Sequence, residues 1–90
     1  MVSVLWWTEA NEEHIARHGV DPGEVTDVVI DPRSRWFRAT NQPLFHVFGR
    51  SDAGRYLFVV LVPSTVETEA WFVVTARDMT SRERARYQRK

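Results

Sequence analysis

Cysteine is absent from this chain, and lysine nearly so, with Lys90 its sole representative. Without thiols there are no disulfides and no thiolate metal centres, which fits a reducing compartment without requiring one. The three histidines, His14, His18 and His46, have no carboxylate at ligand spacing, so neither a metal site nor any other cofactor is expected. No stretch approaches the about 20 apolar residues of a membrane span. The opening Met1-Val2-Ser3-Val4-Leu5-Trp6 lacks the basic and long apolar regions of a signal peptide. A cytoplasmic protein without a membrane partner is the expectation. There is also no repeat, low-complexity tract or linker, so residues 1–90 are read as one domain.

What is present is ample material for a core, 43% hydrophobic and 12% aromatic. The zero net charge conceals an asymmetry. Residues 1–31 carry seven acids and only Arg17 as a base, whereas residues 32–90 carry eleven bases, ten of them arginine, against five acids. The planar guanidinium fork suits bidentate phosphate contacts better than an ammonium point charge. Two arrangements follow: a basic face turned to RNA with an acidic face elsewhere, or two halves that interleave and neutralise each other.

Along the chain, Val4-Leu5-Trp6-Trp7 reads as a first strand. Thr8 is an N-cap, with Glu9, Glu12 and Glu13 complementing the helix dipole, and the helix runs to His18 and stops at Gly19. Asp21-Pro22-Gly23-Glu24 is a capping box with proline at N1. It opens a second helix with Val25, Val28 and Val29 on its apolar face, ended by Asp31-Pro32. Strands are expected over 33–39 and 44–50, then a hairpin turn at Ser51-Asp52-Ala53-Gly54. Residues 56–62, apolar on both faces, read as the central strand, closed by Pro63. Residues 68–75 form the last strand, and Thr80-Ser81-Arg82-Glu83 caps a short basic C-terminal helix. The order predicts an α+β fold: two N-terminal helices packed on a small antiparallel meander, with the C-terminal helix following.

These segments resemble a known family. Trp7-Thr8-Glu9 followed by Ile15-Ala16-Arg17-His18-Gly19-Val20 is similar to the "W-x-x…KHGV" opening of BrnT-like toxins, a branch of the RelE/ParE toxin superfamily. Glu24-Val25 sits at the family's acidic helix start, and Phe48-Gly49-Arg50 resembles its "GR" strand end. The run from Val73 to Arg84, containing Thr75-Ala76-Arg77-Asp78-Met79-Thr80 and Glu83, resembles the "I-S-A-R-x-A-T-x-x-E-R" ending, with Tyr87 at the usual aromatic place. The resemblance implies a RelE-like fold and the toxin of a type II toxin–antitoxin pair, a metal-independent endoribonuclease silenced by a cognate antitoxin, here expected to be of ribbon-helix-helix type. One departure stands out: Asn11 occupies the place of a lysine carried by many relatives.

Cleavage of that kind uses the ribose 2′-OH as nucleophile, so the site must move two protons and stabilise extra charge on the phosphate. Arg77, at the end of the last strand, is the first candidate; its alternative is a salt bridge to the acidic helices. Arg50 and Arg55 flank the hairpin, either as a phosphate clamp or as solvated charges, the clamp suiting Arg50 and solvation Arg55. His18 is a catalytic candidate or a helix-capping residue, and Glu24 a candidate or simply half of its capping box. Arg82, Arg84, Arg86, Arg89 and Lys90 around Tyr87 form an RNA-phosphate surface with one stacking ring, or a solvated face anchored by Tyr87 and Ala85. Trp6, Trp36 and Trp71 are read as core. The alternative function is a non-catalytic nucleic-acid-binding or protein-interaction module of the same fold. Because the central strand is apolar on both sides, its second face needs a cover: the C-terminal helix, a cleft for RNA, or a protein partner, either the antitoxin or a second copy in a homodimer.

Overall fold

The computed structural model describes residues 4–64 and 70–88. After β1 (Val4–Trp6), Thr8 adopts extended backbone and its Oγ1 accepts from the Asn11 amide at 3.1 Å, opening α1 (Glu9–Arg17). His18 is the C-cap, and Gly19 follows at φ 71°, a left-handed conformation that ends the helix. The expected box opens α2 (Pro22–Ile30): Asp21 accepts from the amide of Gly23 at 2.9 Å, and Glu24 Oε1 accepts from the Asp21 amide at 3.2 Å. Asp31, before proline, leaves the helix at ψ 120°.

Four strands then form an antiparallel meander: β2 (Arg35–Arg38), β3 (Phe45–Arg50), β4 (Tyr56–Pro63) and β5 (Ala70–Asp78). The hairpin between β3 and β4 closes with the Gly54 amide on Ser51 O at 2.8 Å, and with Gly54 itself at φ 91°. The sheet order is β1-β5-β4-β3-β2, which makes β4 the central strand as its two-sided apolar pattern requires. β1 joins the edge of β5 in parallel, so the five-stranded sheet is mixed. No tight turn links β1 to β5. β5 runs on to Asp78, three residues beyond the expected end, because the polar stretch Thr75–Asp78 finds a ladder partner in β4. The expected start of that strand, 68–69, lies outside the described residues. Thr80 and Glu83 exchange backbone-to-side-chain hydrogen bonds of 3.1 and 2.9 Å, the predicted box opening α3 (Ser81–Gln88).

Strand alternation divides the sheet into two faces. Val47, Leu57, Val59, Leu61, Val73 and Ala76 point toward α1 and α2 and are buried with Ile15, Val20, Val25, Val28 and Val29. Trp36 and Trp71 pack against this cluster, 5.5 Å apart. A bulge opposite the step from Val60 to Leu61 leaves Val74 unpaired and exposed. α3, which buries none of its residues, leans on the other face.

Candidate nucleic-acid interface and active site

Cross-strand register assigns the second face residue by residue. Arg50 opposes Tyr56, Phe48 opposes Phe58, and Phe58 in turn opposes Arg77, so Arg50, Tyr56, Phe58 and Arg77 project from one side of the sheet. The guanidinium of Arg77 lies 4.3 Å from the centre of the Phe58 ring, and that of Arg50 5.4 Å from Tyr56. Arg84 of α3 reaches the same Tyr56 ring at 4.2 Å. Three arginines thus gather over a strip of two aromatic rings, where cation–π attraction partly offsets their mutual repulsion. Arg50 and Arg77 share one face of the sheet, and Arg84 reaches it from α3. Gly54 keeps room for Arg50, since a Cβ there would stand 3.2 Å from Arg50 Nη2.

Arg77 is not a bare cation. It donates to both carboxylate oxygens of Glu83, at 2.8 and 3.1 Å, and to Asp78 O at 3.0 Å. This pair holds the Glu83 carboxyl below its ordinary pKa, through Arg77 first and the Thr80 amide after it. Tyr56 accepts a 3.1 Å hydrogen bond from Gln88 Nε2. That bond, together with the charges of Arg50 and Arg84, pushes the phenol pKa down. Tyr87 meets Tyr56 ring to ring at 5.9 Å, and the Arg35 guanidinium lies 5.8 Å from the centre of the Tyr87 ring. Arg82 is exposed on α3.

Arg55, weighed from the sequence as a phosphate contact or a solvated hairpin charge, is instead bonded within the fold. It sits before β4 with the parity of Leu57, on the helix side, and the structure gives it a partner for each of its five N–H groups. Nε and Nη2 clamp Asp78 at 2.6 and 3.0 Å, Nη1 donates to Glu24 at 3.1 Å and to Gly19 O, and Nη2 donates to His18 O at 3.3 Å. A guanidinium has five donors, so none remains for a phosphate. Glu24 is consumed by the same network and by its capping box, which places it apart from the arginine strip. His18 offers its carbonyl to Arg55, and its exposed ring stacks edge-on against His14 at 5.2 Å. Both therefore serve the junction of α1, α2 and β5 and are not brought to Arg50 and Arg77.

His46 was given no role by its sequence context, yet the structure puts it on the arginine face, 5.2 Å from the Phe58 ring. The signal was the alternation His46, Phe48, Arg50 along one strand, which lines one face with an imidazole, a ring and a cation. Beside it a cavity of about 310 Å³ opens between β2, β3 and α3. Among the described residues, no three His, Asp or Glu side chains gather as a metal site.

Comparison with known proteins adds the family. The family model described as "Ribonuclease toxin, BrnT, of type II toxin-antitoxin system" matches residues 6–83. Among solved structures, the crystal structure of the ribonuclease toxin BrnT from Brucella abortus superposes with a TM-score of 0.66 at 19% identity, covering 88% of this chain and all 100% of that one. No curated protein matches. With the match extending over nearly the entire chain, from β1 into α3, the chain belongs to the BrnT family of ribonuclease toxins of type II toxin–antitoxin systems.

Proposed function

We propose that this chain is a metal-independent endoribonuclease held inactive by a cognate antitoxin, its working surface the sheet face opposite the core. The observation that carries this reading is the convergence of Arg50, Arg77 and Arg84 over the Tyr56–Phe58 rings. A 2′-OH attacking the adjacent phosphorus drives negative charge onto the phosphoryl oxygens, and converging guanidinium groups stabilise that charge most where it is largest. Breakage of the P–O5′ bond leaves a 2′,3′-cyclic phosphate and a 5′-hydroxyl. One proton must leave the 2′-OH and one must reach O5′. Tyr56, with its lowered pKa, lies on this face beside Arg50 and Arg84 and takes one of those transfers. Glu83 keeps Arg77 oriented until substrate phosphate competes for it.

The type II family implies an antitoxin partner. An antitoxin of ribbon-helix-helix type that offers carboxylates to Arg50 and Arg84 and covers the rings beneath them blocks RNA through the groups that bind it. The test is cleavage of a single-stranded RNA by the purified chain with a chelator present, beside the same RNA carrying 2′-deoxyribose at the cut site. Undiminished cleavage with chelator, loss with the 2′-deoxy substrate and suppression by the product of the neighbouring gene are expected. A requirement for added divalent metal would overturn the mechanism.

A further inference from the structure

We propose that the cavity between β2, β3 and α3 is a nucleobase subsite, which holds a base of the RNA strand whose phosphate lies on Arg50, Arg77 and Arg84. The inference rests on the ribonuclease reading and extends it to where the substrate's bases go. The floor is aromatic: Phe37, His46 and Phe48, three side chains that β-register places together, since Phe37 opposes His46 and Phe48 is next on the same face of β3. The Phe37 and Phe48 rings meet at 5.8 Å, yet Phe37 remains 51% exposed. An apolar ring so open on an edge strand contributes little to this protein's own core, which lies on the opposite face.

The walls are cationic and aromatic. Arg35 and Tyr87 stand together on one side with the guanidinium 5.8 Å from the ring, and Arg86 of α3 forms another wall. Glu83 also lines the cavity, but both of its oxygens are held by Arg77. The rest of the lining is rings and guanidinium groups, so the chemistry offered is chiefly stacking, which every base can satisfy. A volume of about 310 Å³ suits a small planar group. Position completes the argument. Phe48 is in ring contact with Phe58, over which Arg77 lies, so base floor and phosphate cluster share one continuous aromatic surface, as a base and phosphate joined through one ribose require.

The experiment measures binding of the full chain to a fluorescein-labelled 2′-O-methyl oligoribonucleotide, which lacks the nucleophile and so reports affinity alone. Its bases are removed one position at a time. Removal at one position should weaken binding at least about tenfold, the scale of one stacked base. Phe37→Ala should weaken the intact oligonucleotide by a similar factor and erase the sensitivity at that position. Thermal melting establishes that the variant is folded, and the scan on the unaltered chain stands without it. Equal affinity at every abasic position, or wild-type affinity in Phe37→Ala, overturns the subsite. So does a Phe37→Ala or His46→Ala variant that loses antitoxin but keeps RNA, which would make the cavity a protein-docking surface. If the unaltered chain binds no RNA at all, the ribonuclease reading fails and the subsite with it.

Discussion

Two arginines of this chain show how identical side chains part company once their surroundings are known. Arg55 spends its five donors on Asp78, Glu24 and two carbonyls at the end of α1, joining three elements. Arg55→Ala should lower unfolding free energy in urea by about 2–3 kcal/mol, less than for a fully buried pair because Asp78 is well exposed. Lysine should recover little of this, since it lacks the fork. An unchanged midpoint would make Arg55 the solvated hairpin charge that its sequence context suggests. Arg77, by contrast, faces the proposed substrate. Arg77→Ala should slow cleavage by on the order of a hundredfold, the cost of one oxyanion-stabilising donor, and an unaltered rate would leave it a purely structural partner of Glu83. The Arg77–Glu83 pair also links stability to pH. Glu83 has a lowered folded pKa, so its contribution is complete above the ordinary carboxylate range and is lost as pH falls through the folded value. Asp78 follows the same sign through Arg55, screened by its exposure. Urea titrations between neutral and acid pH should show this decline, and Glu83→Gln should flatten it.

At the scale of elements, β3 passes closely beneath α2 at Gly49. A Cβ at Gly49 would stand 2.2 Å from Ser34 Oγ and 2.8 Å from Val28 Cγ1, while Ser34 is itself anchored to Val28 O at 2.6 Å. Gly49→Ala should cost about 2–3 kcal/mol by overpacking, whereas Ser34→Ala, losing one hydrogen bond, should cost about 1 kcal/mol. Combined, they should cost less than the sum, since removing Oγ vacates the nearest clash. Additive losses would show that the crowding at Gly49 comes from Val28 alone. α3 is held differently, by its capping box, the Arg77–Glu83 pair and contacts of Tyr87 and Gln88 with Tyr56. With no buried residue of its own, it should exchange its amide hydrogens well before β4.

Over the whole molecule, the charge asymmetry of the sequence is partly neutralised by ion pairs and partly kept as arginines on one face. Asp31 and Glu24 of the acidic segment neutralise Arg33 and Arg55, while Arg50, Arg77 and Arg84 gather on the sheet face away from α1 and α2. A surface of this kind makes RNA affinity depend on salt. For single strands, the logarithmic slope changes by about 0.7 per phosphate neutralised. Arg50→Ala and Arg84→Ala should each reduce the slope by about that amount, and a salt-independent affinity would contradict an electrostatic footprint. No helix among the described residues is long and apolar enough to cross a membrane.

Local signals sufficed wherever neighbours in sequence are also neighbours in space. Caps at Thr8, Asp21 and Thr80 depend on atoms three residues apart, and the two-sided apolar run of β4 marks the sheet centre without reference to any other strand. The family, too, was legible in short motifs spread over most of the chain. What a linear reading left open is the fate of charges whose partners are distant in sequence. Arg55 meets Asp78 across 23 positions and Glu24 across 31, so no spacing rule separates it from Arg50. His18 and Glu24 likewise have their surroundings set by that network. Strand alternation aligned His46 with Arg50, but only the pairing of β3 with β4, and the return of α3 over the same face, brings them together with Tyr56, Phe58 and Arg84. The parallel docking of β1 on β5 belongs to this class as well. Its register depends on packing between the two ends of the chain, and no turn between them records it.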